Sequence, residues 1–374
     1  MAIAPVSGSS GVRPDRPIRV SVTSGQLTSV AVHTSGDPVA GTMNSTRRSW
    51  HSDRTLDTDT RYTVTATATV NGNTVTRTSS FSTLKPDHTV QTEIFEGYHK
   101  SYGVGMPIIL TFSSPVTDKA AVERALEITT SKPVVGAWHW DGDQAVDFRP
   151  REYWPAHTQV SFTGHLNGVE MAPGVYGDHT LTQSFSIGSS LIVVASTATH
   201  HMDLYRDGRF YRRWSISTGR PGDNTPNGTY LTIEKGNPVL MKGPGYRLEV
   251  PWSVRFTWTG DYLHDAYWSV GEQGFTNVSH GCVNMAPADA EAYYKMAVPG
   301  DPVTITGSPR AGAWDNGWTE WFLNWHRFLR GSALHEAVQA GQDGSSFVSP
   351  AALPTTSGTA PLDHPDPDNW SATD

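Results

Sequence analysis

Alternation of apolar and polar residues dominates the first half of the chain. The segments IRVSV, TSVAV and RYTVTATATV place apolar side chains at every second position, which is the period of a β-strand with one buried face. Asn71-Gly72 separates RYTVTATATV from NTVTRTSSFST, and this dipeptide is typical of a two-residue hairpin turn. The pattern predicts an immunoglobulin-like β-sandwich over residues 17–86, which ends at Lys85-Pro86.

The alternation continues over residues 87–188. PIILTFS, AVDFRP, TQVSFTGHL and LTQSFSIG have the pattern of strands, a short helix is expected over residues 119–125, and TTSKPVVGAWHWDGD is expected to form a hairpin. We interpret this segment as a second, modified immunoglobulin-like sandwich. Residues 1–16 are rich in Ser, Gly and Pro, so we expect them to form a disordered leader.

A third β-rich unit is predicted over residues 189–307. It begins with SLIVVAST and HMDLYRDGRFYRRWSIST, in which Asp207-Gly208 marks another hairpin, and it continues through VRFTWTG to PVTITG. One helix is expected over residues 287–297, because acidic residues open that segment and Pro299-Gly300 follow it. The chain is therefore expected to be mainly β, with two sandwich domains followed by a β-rich unit with few helices.

The C-terminal region has a different pattern. Residues 308–345 are expected to form a helical subdomain with a helix over residues 314–340, because six apolar residues recur at helical spacing: Trp318, Trp321, Phe322, Trp325, Phe328 and Leu329. Such an aromatic stripe packs a helix onto a neighbouring domain far more often than it forms a ligand platform. Residues 346–374 are rich in Pro, Ser and Asp and are expected to form a flexible tail.

Composition and charge narrow the possible partners. The net charge is -8 and no basic stripe interleaves with aromatic residues, so no nucleic-acid partner is expected. The most apolar stretch, residues 191–195, is too short to cross a membrane. Residues 1–17 lack an apolar signal region, so we expect either a soluble protein or one whose export or anchoring segment has been removed.

Neither a metal nor a cofactor is expected. His200, His201 and Asp203 are the candidate ligand cluster, but alternation along a strand would direct the two adjacent histidines to opposite faces. The sequence contains no HExxH, no CxxC pair, no EF-hand loop and no phosphate-binding glycine loop.

The candidate chemistry centres on Cys282, the one cysteine of the chain, which excludes an intrachain disulfide. A lone cysteine is commonly a small buried residue. This one lies in SHGCVN, which follows His264 after 14 intervening residues. A thiol becomes a good nucleophile when an imidazole takes its proton. Gly281 before it removes a side chain and lets backbone N–H groups converge on a developing oxyanion.

This pattern resembles the signature of the L,D-transpeptidase (YkuD-type) catalytic domain. The likeness covers about residues 189–307, and the two preceding β units resemble the immunoglobulin-like domains of mycobacterial and related actinobacterial members. The C-terminal Trp-rich segment also fits that group. The resemblance implies an extracytoplasmic enzyme of the cell envelope, in the periplasm or cell wall, either free or anchored to the membrane by a removed segment.

The resemblance also assigns roles to individual residues. Cys282 would be the nucleophile, and His264 would be the general base and later the acid. Ser279 would orient His264 through its backbone carbonyl, while His280, Gly281 and Cys282 would supply oxyanion-hole N–H groups. Substrate-binding positions would be Tyr246, Asn284, Trp268, Met241, Thr259 and Gly260.

Several of these residues have plainer interpretations. Tyr246 and Trp268 could be ordinary half-buried aromatic residues, Asn284 could cap the following turn, and His280 could be structural. Asn284 stands where many bacterial relatives have arginine. The segment 225–228, TPNG, matches a family turn and could be only a β-turn. The stretch between Met241 and Tyr246 is short for the family, which predicts a short flap over the cleft.

The implied reaction is an acyl transfer. Cys282 would attack the third residue of a peptidoglycan tetrapeptide stem, release D-alanine and pass the acyl group to an amine of a neighbouring stem, which gives a 3→3 cross-link. Carbapenems would acylate Cys282 as inhibitors. Two alternatives remain open: a cysteine L,D-carboxypeptidase or endopeptidase that uses water as the acceptor, and a non-enzymatic wall-binding module in which Cys282 is inert.

Overall fold

The computed structural model describes residues 1–243 and 246–353. For Tyr246 it describes only the backbone. Strands account for 46% of the residues and helices for 9%, so the prediction of a mainly β chain is confirmed. Within the described residues no helix combines the length and the apolar character needed to cross a membrane.

The first β unit has the predicted alternating strands. They run β1 (Ala2–Ala4), β2 (Arg19–Ser21), β3 (Gln26–Thr34), β4 (Gly41–Met43), β5 (Ser49–Ser52), β6 (Arg61–Val70) and β7 (Asn73–Ser82). They form two sheets, ordered β1-β2-β5-β4 and β3-β6-β7. Every second residue of β6 is buried, so one face of this strand lies in the core. The hairpin at Asn71-Gly72 is confirmed, and both residues have the positive φ that this turn requires.

The prediction that residues 1–16 are disordered is wrong. Strand β1 pairs antiparallel with β2, with Ile3 opposite Val20. The Gly8 N–H donates to the Ser80 carbonyl at 2.7 Å, and Val12 bridges to Thr83. The Ser- and Gly-rich composition hides a short edge strand whose backbone hydrogen bonds are made with distant residues, which composition alone does not reveal.

The second β unit contains more and shorter strands. They are β8 (His88–Val90), β9 (Thr92–Ile94), β10 (Ser101–Tyr102), β11 (Ile108–Phe112), β12 (Leu126–Thr130), β13 (Val134–Asp141), β14 (Ala145–Pro150), β15 (Gln159–Gly164), β16 (Glu170–Ala172), β17 (Val175–Gly177) and β18 (Leu181–Ile187). The predicted helix is present as α1 (Lys119–Arg124), and Asp118 caps it by accepting the Ala121 N–H at 3.0 Å. The predicted TTSKPVVGAWHWDGD hairpin is wrong, because β12 pairs with β15 whereas β13 pairs with β14 in another sheet.

The third unit is built on a nine-stranded sheet. Its elements are β19 (Leu191–Ser196), β20 (His201–Arg206), β21 (Arg209–Ser217), β22 (Gly228–Leu231), β23 (Glu234–Gly236), β24 (Val239–Gly243), β25 (Tyr246–Val250), β26 (Ser253–Arg255), β27 (Tyr262–Asp265), β28 (Val283–Met285), β29 (Pro302–Thr306), a short 3-10 helix (Tyr267–Ser269) and α2 (Pro287–Met296). The sheet order is β22-β29-β19-β20-β21-β28-β27-β26-β23, and β24 pairs separately with β25. The predicted Asp207-Gly208 hairpin and the predicted helix are confirmed.

The prediction of a helix over residues 314–340 is wrong. This region contains a 3-10 helix (Glu320–Phe322), α3 (Trp325–Arg330), β30 (Ala337–Gly341) and β31 (Gly344–Val348), followed by a 3-10 helix (Pro350–Ala352). Strand β30 pairs with β13, which gives a six-stranded sheet ordered β31-β30-β13-β14-β11-β9. The predicted flexible tail is therefore wrong at residues 346–348, and its residues 354–374 lie outside the described residues.

The predicted aromatic stripe is a packing element that joins two units. Trp318 and Trp321 lie in the core of the second β unit, whereas Phe322 packs edge-on against Tyr230 of the third unit at 5.0 Å between ring centroids. Phe328 is fully buried beside Ala137. These contacts favour packing over a ligand platform.

Backbone hydrogen bonds also join the second and third units. The Gly103 N–H donates to the Pro299 carbonyl at 2.8 Å, and the Gly105 N–H donates to the Gly300 carbonyl at 2.9 Å. The Trp321 indole N–H donates to the Gly105 carbonyl at 2.8 Å. Gly103 and Gly105 belong to the second unit, and Pro299 and Gly300 belong to the end of the third. These hydrogen bonds therefore join the two units, and Trp321 of the C-terminal segment adds a further bond to the same place.

Replacing Phe328 by alanine is expected to lower the free energy of unfolding by about 3–5 kcal/mol, because the ring is fully buried and its removal leaves a cavity. The ring also covers Arg149, whose guanidinium carbon lies 4.4 Å from the ring centroid. Denaturant unfolding of the full chain measures the change. His326→Ala, an exposed change on the same helix, should stay within about 0.5 kcal/mol, and equal losses for the two variants would contradict the packing role.

Candidate active site

A parallel pair of strands brings the predicted Cys/His pair together. β27 pairs parallel with β28, and His264 lies opposite Asn284. Cys282 immediately precedes β28, so the loop that carries the thiol ends one strand away from the imidazole. Leu263 and Val283 point into the core of the unit, and their burial fixes the alternation that directs His264 to the other face.

Both residues line one cleft of about 350 Å³. Its walls are formed by Met241, Leu248, Val250, His264, Trp268, Ser269, Glu272, Val278, Ser279, His280, Cys282 and Asn284. Of the predicted substrate-binding residues, Met241, Trp268 and Asn284 are among them. The side chain of Tyr246 lies outside the described residues, although the backbone of β25 pairs with β24.

His264 is buried in the neutral form. Its Nδ1–H donates to the Asp265 carbonyl at 2.7 Å, so the lone pair is left on Nε2. Burial lowers the pKa of His264 to about 4, against a partly opposing effect of the hydrogen bond to Asp265. Trp268 stacks on the imidazole with ring centroids 5.9 Å apart. A neutral imidazole with a free Nε2 can accept a proton at neutral pH.

The prediction that the Ser279 carbonyl orients His264 is wrong. That carbonyl accepts the Arg220 N–H at 3.0 Å, and the histidine is held by the carbonyl of its own neighbour, Asp265. Ser279 acts within the cysteine loop: its hydroxyl donates to the Cys282 carbonyl at 2.6 Å and accepts the Gly281 N–H at 3.2 Å. Every residue has a backbone carbonyl, so the amino-acid types in the sequence could not identify Asp265 as the residue that orients His264.

The thiol of Cys282 is protonated at rest. Burial, and after it the nearby Asp261 carboxylate, raise its pKa to about 12, against an opposing effect of the Tyr262 N–H, which favours the thiolate. The thiol donates a long hydrogen bond of 3.8 Å to the Gly260 carbonyl, which places this predicted residue against the cysteine. Since the imidazole is also neutral, the resting pair carries no charge, and the thiolate has to form as the proton moves to His264.

Gly281 is fixed by its close approach to Asp261 and by hydrogen bonds with Thr225 and Ser279. Its φ is +132°, and a Cβ at this position would lie 2.4 Å from Asp261 Oδ1, so only glycine fits. The Thr225 hydroxyl donates to the Gly281 carbonyl at 2.6 Å and accepts the Gly219 N–H at 2.9 Å. Thr225 of the predicted TPNG turn thus does more than form a β-turn, because it fixes the loop before the thiol. The Gly281 N–H is already bonded to Ser279.

Asp261 is a buried carboxylate that the sequence argument did not single out. Its Oδ2 accepts the Thr257 hydroxyl at 2.9 Å, and its own N–H donates to Thr257 Oγ1 at 2.8 Å. Burial raises the pKa of Asp261, while the hydrogen bond from Thr257 and the charge of Arg310 oppose this. The predicted residue Thr259 lies in the same turn, where its N–H donates to Asn316 Oδ1 at 2.9 Å.

Asn284 lies on the cleft wall and does not cap the next helix. Its Nδ2 donates to the Ser269 hydroxyl at 2.9 Å, and Ser269 Oγ in turn contacts the Ala266 carbonyl at 3.3 Å. The N-cap residue of α2 is Ala286, which receives no side-chain hydrogen bond. This chain of contacts holds the Asn284 amide in a fixed orientation at the base of the cleft.

The histidines considered as metal ligands have separate partners. His200 Nδ1 contacts Asn277 Oδ1 at 2.9 Å, His201 Nδ1 donates to the Thr199 carbonyl at 2.6 Å, and Asp203 pairs with Arg213 at 2.6 Å. Within residues 1–243 and 246–353 no group of three His, Cys, Asp or Glu residues could hold a metal ion.

Replacing Asp261 by asparagine is expected to lower the pKa of the Cys282 thiol, because the neutral amide no longer opposes formation of the thiolate. The rate of alkylation by iodoacetamide, followed against pH, measures the shift: its rise should move to lower pH. Asp315→Asn, an exposed change on the C-terminal segment, should leave the profile unmoved. An unchanged profile in Asp261→Asn would show that the carboxylate does not act on the thiol.

Comparison with known proteins finds two matching family models and several relatives. Residues 190–305 match the family model for the L,D-transpeptidase catalytic domain, and residues 9–170 match that for a bacterial Ig domain. L,D-transpeptidase 2 of Mycobacterium tuberculosis is 32% identical over 333 residues, which cover 84% of this chain and 82% of that protein. L,D-transpeptidase 5 of the same species is 34% identical, over 89% of this chain and 77% of that protein.

Solved structures of L,D-transpeptidases are also similar to this chain. An LD transpeptidase in complex with imipenem is 35% identical, with a TM-score of 0.49, over 57% of this chain and 97% of that chain.

Proposed function

The chain belongs to the L,D-transpeptidases, and on this basis we propose that it forms 3→3 cross-links between peptidoglycan stems through a thioester on Cys282. The observation that carries the proposal is the pairing, in one cleft, of a thiol with a neutral imidazole whose Nδ1–H is fixed by the Asp265 carbonyl. This pair can exchange a single proton without creating net charge in a buried site.

The first half of the reaction is acylation. The Cys282 sulfur attacks the carbonyl carbon of the third residue of a donor tetrapeptide, and its proton passes to His264 Nε2. The bond between the third residue and D-alanine breaks, and the imidazolium returns the proton to the amine of D-alanine. The products are a thioester and free D-alanine.

The second half is transfer to an amine. The side-chain amine of the third residue of another stem attacks the thioester, and His264 takes one of its protons. The carbon–sulfur bond breaks, the new amide forms the cross-link, and the proton returns to the thiolate of Cys282. We propose that the backbone N–H groups of His280 and Cys282 stabilise the oxyanion in both steps, since the Gly281 N–H is bonded to Ser279.

Substrate contacts follow from the cleft wall. Met241 and Trp268 offer an apolar wall, and the buried Asn284 offers an oriented amide. We place the donor stem along this wall, with Gly260 behind the thiol and Thr259 in the supporting turn. Tyr246 belongs to the β24–β25 hairpin, which carries Met241 to the cleft, and the proposed function includes a substrate-binding role for it.

The site should also react with carbapenems. A β-lactam presents a strained amide to the same nucleophile, so ring opening would leave a stable acyl group on Cys282. The substrate places the enzyme in the cell envelope outside the cytoplasm, where peptidoglycan is made. The two sandwich units would then separate the catalytic unit from the membrane surface.

The proposal is tested by incubating the protein with a purified tetrapeptide stem. The expected products are free D-alanine and a stem dimer whose fragmentation spectrum shows a bond between the two third residues. Tripeptide formation without a dimer would instead identify an L,D-carboxypeptidase that uses water as the acceptor. Absence of both products from folded protein would favour a non-enzymatic wall-binding module.

A further inference from the structure

Glu272 stands out among the residues that line the catalytic cleft. Of the twelve lining residues, it is the one carboxylate. The apolar part of the same lining consists of Met241, Leu248, Val250, Trp268 and Val278. Glu272 is therefore the one acidic side chain of the lining that can meet a positively charged part of a substrate.

The carboxylate of Glu272 makes no hydrogen bond or ion pair with the described residues. Two other carboxylates of the same unit are paired with arginines: Asp203 with Arg213 at 2.6 Å and Glu234 with Arg255 at 2.8 Å. Glu272 is exposed to the cleft, so both of its oxygens remain available to a ligand.

The loop that carries Glu272 is anchored on both sides. The Ser269 carbonyl accepts the N–H groups of Glu272 and Gln273 at 3.2 and 3.3 Å. The side chain of Gln273 is buried and donates to the Ala266 carbonyl at 3.3 Å. The Gly274 N–H donates to the Ile216 carbonyl of β21 at 3.0 Å. The backbone beneath the carboxylate is therefore fixed relative to the sheet that carries the catalytic pair.

A carboxylate and an indole that line the same cleft are chemically suited to a primary ammonium. The carboxylate accepts charge-assisted hydrogen bonds from the three N–H groups, and an aromatic face adds a favourable cation–π contact. Trp268 lies four residues before Glu272, lines the same cleft and is 44% exposed. Because both side chains are exposed, solvent screens such a pair, and its contribution to binding is expected to be modest.

We propose that Glu272 binds the side-chain ammonium of the diamino acid in a peptidoglycan stem and thereby selects stems in which this amine is free. This inference rests on the proposed function and deepens it, since it assigns substrate charge recognition to a residue outside the thiol–imidazole pair. The contact is non-covalent, and His264 and Cys282 carry all bond changes.

Binding to a catalytically inactive protein provides the test. In a Cys282→Ala background, calorimetry should show that a tetrapeptide with a free side-chain amine binds more tightly than the same peptide with that amine acetylated. Glu272→Gln should weaken binding of the free-amine peptide by about fivefold and leave the acetylated peptide unchanged, in line with a partly screened ion pair. Glu93→Gln, an exposed change on β9 of the second unit, should alter neither.

Donor and acceptor stems carry the same side-chain ammonium, so a second experiment determines which of the two stems Glu272 binds. Native protein is first acylated with a β-lactam that carries no positive charge, so that the acyl group fills the donor position. The same acylation of Glu272→Gln shows that the thiol of this variant is intact. If the Glu272-dependent preference for the free amine persists on the acylated protein, the ammonium belongs to the acceptor. If the preference is present only before acylation, it belongs to the donor.

The inference is overturned if the free and acetylated peptides bind equally well to the Glu272-containing protein, or if Glu272→Gln weakens both to the same extent. Because binding is measured without turnover, failure of the native protein to form cross-links would refute the proposed reaction alone. A Glu272-dependent preference would still identify the ammonium site.

Discussion

Replacing Cys282 by alanine is expected to abolish D-alanine release and cross-linking, with a loss of at least about 10⁴-fold in kcat/KM. No other thiol exists in the chain, and no other residue can form the thioester that divides the reaction into two steps. Intact-mass spectrometry after incubation with a carbapenem gives the clearest measurement.

The native protein should gain the mass of one inhibitor molecule, and Cys282→Ala should gain none. Thermal unfolding of the two proteins is the control, because Cys282 is only partly buried and its truncation should leave the fold intact. An adduct of equal yield on Cys282→Ala would show that another residue is the nucleophile. Absence of an adduct on folded native protein would show that the thiol is inert.

Replacing His264 by alanine is expected to slow acylation at neutral pH by about 10²–10⁴-fold, because the proton of the thiol then has no acceptor in the cleft. With the thiol pKa near 12 and the imidazole pKa near 4, the native pair stays neutral across the intervening range. The native rate should therefore be flat in that range and fall only as pH approaches 4, where the imidazole becomes protonated.

The rate for His264→Ala should instead rise about tenfold per pH unit, since only the thiolate fraction reacts. Stopped-flow acylation by a carbapenem over a range of pH measures both profiles. His201→Ala is the matched control, because His201 lies on the same sheet and contacts the Thr199 carbonyl. Parallel profiles for native protein and His264→Ala would show that His264 is not the base.

Local patterns in the sequence predicted most of the fold. The alternation in β6 and the turns at Asn71-Gly72 and Asp207-Gly208 depend on residues that are neighbours in the chain, and the structure has them as expected. The failures involve partners distant in sequence. Strand β30 pairs with β13, about two hundred residues earlier, and no local pattern records that pairing.

The aromatic spacing near the C-terminus was misleading for a physical reason. Trp318, Trp321 and Phe328 recur at intervals that suit one helical face, but Trp318 and Trp321 pack into the core of the second unit whereas Phe328 packs into a separate cluster beside Ala137. A 3-10 turn and the two-turn helix α3 give each ring its own direction. Periodicity measures spacing along the chain, and it cannot distinguish one long helix from several short turns that serve different cores.

In the site, residue identity predicted some groups and not others. Cys282 and His264 could be found because their side chains carry distinctive chemistry at a distinctive spacing. The Asp265 carbonyl that holds His264 has no residue signature, and Asp261 acts on the thiol through a turn whose shape depends on Gly260 and Gly281. Glu272 became informative only when the cleft around it was known to hold no other carboxylate.

The pairing of β30 with β13 means that the catalytic unit is inserted into the second sandwich: the chain leaves that sandwich after β18 and re-enters its sheet at β30. A domain attached at one end can adopt many orientations, whereas a domain attached at both ends can only rotate about the line between its two attachment points. The contacts of Gly103 and Gly105 with Pro299 and Gly300 oppose even that rotation. The orientation of the cleft is therefore fixed relative to the second sandwich, and a peptidoglycan stem must approach the enzyme from the direction in which the cleft opens.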